Sequence, residues 1–307
     1  MQPIPAGDHI VVGVDGSETS LAAAEWATVF ARKLALPLQL VHSSPAPGPM
    51  PEIAMTPDEL AGRYRAYRSE LLTTAEEAVR RSAPGIELTS IADSEPPAAG
   101  LLKAARGAAM IVIGATGAGA VERWILGSTA LRVVDQARCP VAVWRGDPDG
   151  HPSPDNRPIV VGCDGSPLSA GATELAFAWA QLFAVPVVPV RTWTDSAAAG
   201  DSVPTAMQVF GPTAMTVDWE TIARAEAGIL STIVAPYREK FPGVAVEERS
   251  RRGSSVRELL RALDEGQMLI VGHKGRGRLR GALLGSTTQN LLHRAQRPLI
   301  VYRGPGS

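Results

Sequence analysis

Two glycine clusters with the same internal spacing carry the chemistry of this chain. Gly114 and Gly117 are followed after nine residues by Gly127, Ser128 and Thr129; Gly272 and Gly275 are followed after nine residues by Gly285, Ser286 and Thr287. Glycine lets backbone amides approach phosphate oxygens, and amides at a helix N-terminus favour anions. Amphipathic stretches, Leu131 to Ala137 and Leu291 to Ala295, follow the two Gly-Ser-Thr runs. A triphosphate fits between the parts of such a cradle, although Gly-Ser-Thr ahead of a helix is also an ordinary cap.

The cradle is repeated because the chain is. The clusters stand 158 residues apart, and Cys139-Pro140-Val141 recurs as Arg297-Pro298-Leu299 at that same offset. Upstream, Ile10-Val11-Val12-Gly13-Val14-Asp15-Gly16-Ser17 returns as Ile159-Val160-Val161-Gly162-Cys163-Asp164-Gly165-Ser166 at an offset of 149. A period this long means tandem domains, each of ordinary size, rather than a solenoid. The expected division is domain 1 over 1–146, a linker over 147–158 rich in Pro, Gly and Asp, and domain 2 over 159–307.

The elements that must position the glycines alternate between strand and helix. In the first half, strands are expected over Ile10 to Val14, Leu38 to His42, Ile86 to Ala92, Met110 to Gly114 and Val141 to Arg145, with helices over Ser20 to Leu34 and Leu60 to Ala83. The second half repeats the strands near Ile159 to Cys163, Val187 to Arg191, Ala245 to Arg251, Met268 to Gly272 and Leu299 to Arg303. Continuously apolar runs are the mark of parallel strands buried on both faces. The fold class is therefore α/β, two tandem doubly wound domains with five strands each. Ligands of such sheets settle at the carboxyl ends of the strands where the winding reverses, and Gly114 and Gly272 stand at those ends. Ser44 to Thr56 and Thr194 to Thr216 have no period and follow the second strand of each half, as lids over the site would.

Composition removes other classes. With 45% hydrophobic residues, 20% charged residues and a formal net charge of -1, no global field draws the chain to nucleic acid or an anionic membrane. The stretch Ala170 to Val190 is interrupted by Glu174, Gln181, Pro186 and Pro189, which suits a buried helix and strand rather than a membrane span. No basic-then-apolar leader opens Met1 to Asp8, so the expected location is cytoplasmic. Cys139 and Cys163 have no metal-type spacing and read as small buried hydrophobes. The chain holds no G-x-x-x-x-G-K-[ST] loop, G-x-S-x-G elbow or H-E-x-x-H pair, so no catalytic residue is assigned. His42 and His273 read as polar strand-end residues.

The residues quoted so far resemble the universal stress proteins in their tandem form over nearly the whole length. Glycine, two residues, glycine, nine residues, glycine and then Ser or Thr resembles that family's ATP-binding signature, and both halves carry it with an Asp after strand one. The resemblance implies a parallel sheet ordered 3-2-1-4-5 in each half, with ATP at the ends of strands one and four. It places Asp15 and Asp164 near the ribose, adenine or a phosphate-bound Mg2+, and the backbone at Ser43 and Thr192 near adenine. An Asp-Gly pair after a strand also forms a tight turn by itself. The last strand of each half is expected to pair across a pseudo-two-fold axis within the chain, with Trp144 and Tyr302 as interface anchors or core residues, and a homodimer beyond that. The function implied is a nucleotide-dependent regulator in stress response or growth control, with at most slow hydrolysis and an unidentified protein partner. The alternatives are a Mg-dependent ATPase or phosphotransferase, and a nucleotide-free scaffold.

The halves differ. Arg252-Gly253-Ser254 in the second stands where the first has Glu95-Pro96-Pro97, and His273-Lys274-Gly275-Arg276 stands where the first has Ala115-Thr116-Gly117-Ala118. Proline removes amide donors and the second loop is more cationic, so domain 2 is expected to bind ATP more tightly.

Overall fold

The computed structural model describes residues 7–45, 55–116, 126–146, 155–194, 218–275 and 284–304. In the first half these form β1 Ile10–Gly13, α1 Glu18–Leu34, β2 Leu38–Ser43, α2 Pro57–Ser82, β3 Leu88–Asp93, α3 Pro97–Ala104, β4 Met110–Gly114, α4 Ser128–Gln136 and β5 Val141–Trp144. In the second half they form β6 Ile159–Gly162, α5 Pro167–Phe183, β7 Val187–Trp193, α6 Trp219–Lys240, β8 Arg249–Arg252, α7 Ser255–Glu265, β9 Met268–Gly272, α8 Ser286–Arg294 and β10 Leu299–Tyr302. The expected lid segments lie, for 46–54 and 195–217, outside the described residues, as do Gly117 and Arg276.

The strands make one ten-stranded sheet ordered β3-β2-β1-β4-β5-β10-β9-β6-β7-β8. Each half thus has the expected 3-2-1-4-5 order, with parallel neighbours throughout. The only antiparallel pairing among the named strands is β5 with β10, in register Val141↔Val301, Ala142↔Ile300 and Val143↔Leu299. The two last strands meet at the centre of the sheet, each covering the edge that the other would leave exposed.

The strand cores are buried on both faces, as the apolar runs require. Ile10, Val11, Val12, Ile111, Val112, Ile159, Val160 and Ile270 are all at zero exposure. On one face α1 and α5 pack against the sheet, and they meet each other across the halves: the Phe30 ring lies 4.7 Å from Trp179 and 4.9 Å from Phe183. On the other face lie α3 and α4 with α7 and α8, through Leu101, Val133, Leu259 and Leu291. Trp144 and Tyr302 pack partly buried against the α1 and α5 side, Tyr302 so closely that a Cβ on Gly171 would stand 2.2 Å from its Cε1.

Most strand ends differ from the expected bounds by one or two residues, and two strands begin at least two residues late. β8 begins at Arg249 rather than Ala245, although Val187 bridges Val246 and the amide of Val187 donates to the Ala245 carbonyl at 2.9 Å. The register is the same on both sides of the gap, and Pro189 of β7 lies between, where a missing N–H removes one rung of the ladder. β3 runs over Leu88–Asp93, shifted from Ile86 to Ala92, and most of its side chains are exposed at the sheet edge. Both cysteines are buried, and burial pushes their thiols up to about 11 for Cys139 and about 12 for Cys163. Among the described residues no helix is long and apolar enough to cross a membrane.

Candidate functional site

The residues of the second glycine cluster converge. Asp164, Thr192, Gly272, Gly275, Gly285, Ser286 and Thr287 all line one cleft of about 490 Å³ at the carboxyl ends of β6, β7 and β9. Cys163, Ser255, Leu259, Lys274 and Gln289 line it with them.

Local chemistry sets each wall. After β6 the chain turns through Gly165, whose φ of +79 favours glycine, and Asp164 Oδ1 accepts the Ser166 amide at 2.8 Å. The turn reading of this aspartate therefore holds, yet its other oxygen faces the glycine loop: a Cβ on Gly275 would stand 2.4 Å from Asp164 Oδ2. Gly272 ends β9 against Leu168 and Ser169, leaving 3.1 Å for a Cβ. Gly285, not the serine after it, is the N-cap of α8, and among the described residues no side chain caps that helix. A helix start without a side-chain cap is the condition in which an anion is received. Gly285 donates its own amide to the His273 carbonyl at 3.0 Å, tying the helix start to the glycine loop. Lys274 adds a cation from that loop.

The far wall is made by two hydroxyls, Thr192 Oγ1 and Ser255 Oγ, 2.7 Å apart. Ser255 opens α7 after Gly253, whose φ of +144 suits no other residue type. Sequence reasoning singled out Thr192 and Gly253 but not Ser255, Leu259 or Gln289; these sit on helices following strands three and four, where only the fold reveals that they face the cleft.

The first half holds the same elements in a different state. Asp15 Oδ1 accepts the amide and hydroxyl of Ser17, at 3.0 and 2.6 Å. Gly114 ends β4 and Gly127 is the N-cap of α4, with Ser128 and Thr129 in its first turn. The Ser43 side chain is engaged elsewhere: its hydroxyl donates to the Glu95 carbonyl at 2.7 Å, and it fills the space beside Gly100, where a Cβ would meet Ser43 Oγ at 2.1 Å. The α3 helix starts at Pro96 and Pro97, which have no amide to offer. Among the described residues, two smaller hollows flank the position. Asp15 and Gly16 line one of about 300 Å³ with Tyr67 and Glu70; Thr19, Ala115, Thr116, Trp144 and Arg145 line one of about 320 Å³. Neither takes in Ser43, Gly114 or Gly127.

The strand-end histidines are both buried. His42 contacts the Val14 carbonyl through Nδ1 at 2.9 Å. His273 is 4% exposed and faces the junction between the halves; burial, then the charges of Arg303 and Lys274, pushes its pKa down to about 4.

Known proteins match this organisation. The profile described as the universal stress protein family matches residues 7–145 and again 155–303. A universal stress protein of Mycobacterium tuberculosis is 33% identical over 306 residues, covering 97% of this chain and 98% of its own. Another, from Mycolicibacterium smegmatis, is 32% identical over 301 residues and 96% of each chain. Among solved structures, a universal stress protein from Archaeoglobus fulgidus superposes with a TM-score of 0.66 over 97% of both chains at 16% identity, a likeness of fold. With both halves matched and relatives aligned end to end, the chain belongs to the universal stress protein family.

Proposed function

We propose that this chain is an ATP-binding universal stress protein whose second-half cleft is the working nucleotide site. The observation that carries this reading is the convergence of Asp164, Thr192, Gly272, Gly275, Gly285, Ser286 and Thr287 on a single cleft of about 490 Å³. That volume falls in the ordinary range for small-molecule sites. In this reading the uncapped start of α8, the Gly272–Gly275 loop and Lys274 hold the phosphates, and Thr192 stands at the base. Asp164 and the hydroxyls of Ser286 and Thr287 are hard oxygen donors suited to Mg2+, which would neutralise phosphate charge beside the carboxylate.

The role is regulatory: nucleotide occupancy alters conformation or partner choice in a cytoplasmic stress-response or growth-control protein. Among the described residues the cleft lining offers one carboxylate, Asp164, and its Oδ1 holds a turn. That favours binding, with slow hydrolysis at most, over a turnover enzyme. The first half, with Ser43 bonded to Glu95 and prolines at the start of α3, acts as a scaffold for the second.

The test is to denature freshly purified protein, identify and count released nucleotide per chain, then titrate the stripped protein with ATP in the presence and absence of Mg2+. One ATP per chain is expected. Absence of both carried-over nucleotide and binding would favour the nucleotide-free scaffold, and multiple turnover would favour the ATPase.

A further inference from the structure

Asp135 and His273 face one another across the junction between the halves. Asp135 is the penultimate residue of α4 in the first half, and His273 is the first residue after β9 in the second. His273 Nε2 lies 3.7 Å from Asp135 Oδ1, beyond hydrogen-bond reach. Both atoms are buried, and neither has a hydrogen-bond partner among the described residues. A buried polar pair left open is costly, and so calls for a state in which it closes.

Each partner is held by the structure around it. The His273 amide donates to the Tyr302 carbonyl and its own carbonyl accepts the Gly285 amide, both at 3.0 Å. The next two residues, Lys274 and Gly275, line the cleft. The imidazole and the cleft wall thus belong to one segment, His273 to Gly275, tied through His273 to β10 and to the start of α8. On the other side, Arg303 Nη1 donates to the carbonyls of Val134, at 3.1 Å, and Asp135. The depressed basicity of His273 keeps the ring neutral near pH 7, and the tautomer with its proton on Nε2 is the one that matches a carboxylate.

The duplication supplies an internal comparison. At the 158-residue offset, Ala115 stands for His273 and His293 stands for Asp135. The reciprocal junction keeps its arginine, with Arg145 Nη2 donating to the Leu292 carbonyl at 2.6 Å, but holds neither member of the pair. The pair occurs only where a first-half helix meets the loop of the large cleft.

We propose that Asp135 is a positioning residue for the second-half cleft: when a nucleotide phosphate binds, His273 Nε2–H closes onto the Asp135 carboxylate, and the first half then holds the phosphate loop of the second. This inference rests on the reading of that cleft as the nucleotide site. Contacts of this kind are long without ligand and tighten in the complex. A bond made only in the bound state shifts the equilibrium toward binding by its own worth. For one charge-assisted hydrogen bond that is roughly tenfold in affinity.

The experiment uses the full chain and ATP. Affinity is measured by calorimetry for the wild type, Asp135→Ala, Asp135→Asn and His293→Ala, and the His273 ring is followed by nitrogen NMR on 15N-histidine protein. Asp135→Ala is expected to weaken binding about tenfold, Asp135→Asn, which keeps a carbonyl acceptor, to recover most of that, and His293→Ala to change nothing. In the wild type, saturation with ATP is expected to bring a hydrogen-bonded proton onto His273 Nε2. Wild-type binding with undiminished affinity in Asp135→Ala, or an Nε2 signal unmoved at saturation, overturns the coupling while leaving the nucleotide site intact. A wild type that binds no ATP removes the nucleotide reading and this inference together. Should Asp135→Ala fail to fold, the Nε2 signal of the wild type decides.

Discussion

Gly275 lies so close to Asp164 that a single added methyl group would press on the carboxylate, at 2.4 Å from Oδ2. The nearest obstacle is the end of a side chain rather than backbone, so the fold can give way. Gly275→Ala is therefore expected to melt close to the wild type while displacing Asp164 and lowering ATP affinity about tenfold or more. Parallel thermal melts and ATP titrations check this. A variant that loses stability but retains affinity would place the role of Gly275 in folding instead.

The fold was legible because its signals were redundant. Ile159 to Gly162 and Met268 to Gly272 are apolar runs that only doubly buried strands need, and the repeated Asp-Gly turns and glycine clusters fixed their order through the family resemblance. What escaped was information carried by geometry alone. Ser255 is an unremarkable helix-start serine until β7 brings Thr192 to within 2.7 Å of it. Ser43 resembles Thr192 in sequence position, but its hydroxyl is spent on Glu95 because Gly100 lets α3 come close. The contact of His273 with Asp135 joins residues far apart in sequence through a strand pairing, and no local pattern announces it.

The junction arginines are buried to different extents. Arg303 is 8% exposed and serves two carbonyls at the end of α4, whereas Arg145, half-buried, has a bond to Leu292 at the end of α8. Both also complement a helix C-terminus. Arg303→Ala is expected to cost about 2–3 kcal/mol and Arg145→Ala about 1 kcal/mol in denaturant unfolding. The reverse order would show that burial is a poor guide to the strength of this junction.

His273 gives the stability a definite pH dependence. Its folded value of about 4 lies below the ordinary 6.5, so between them the unfolded chain binds a proton that the folded chain refuses. Stability from burying the neutral ring is full above about 6.5 and declines as pH falls toward about 4, by roughly 2–3 kcal/mol. Arg303 and Lys274 oppose protonation of the ring and Asp135 favours it. Subtracting the unfolding profile of His273→Gln from that of the wild type isolates this contribution from the carboxylates titrating nearby. A flat difference across that window would mean the ring takes up its proton in the folded protein.

Close packing at Tyr302 should be felt as stability alone. A Cβ on Gly171 would meet the Tyr302 ring at 2.2 Å, an overlap that forces ring and helix apart. Gly171→Ala is expected to destabilise by about 1–3 kcal/mol with ATP affinity per folded molecule unchanged, read by melts and titration side by side.

Photocrosslinking the stripped, intact protein with 8-azido-ATP and mapping the labelled peptides tests the central claim most directly. Label confined to the second half, near Thr192 or the start of α7, and competed away by ATP is the predicted result. Label in the first half around Ser43, or label that ATP does not displace, would contradict it.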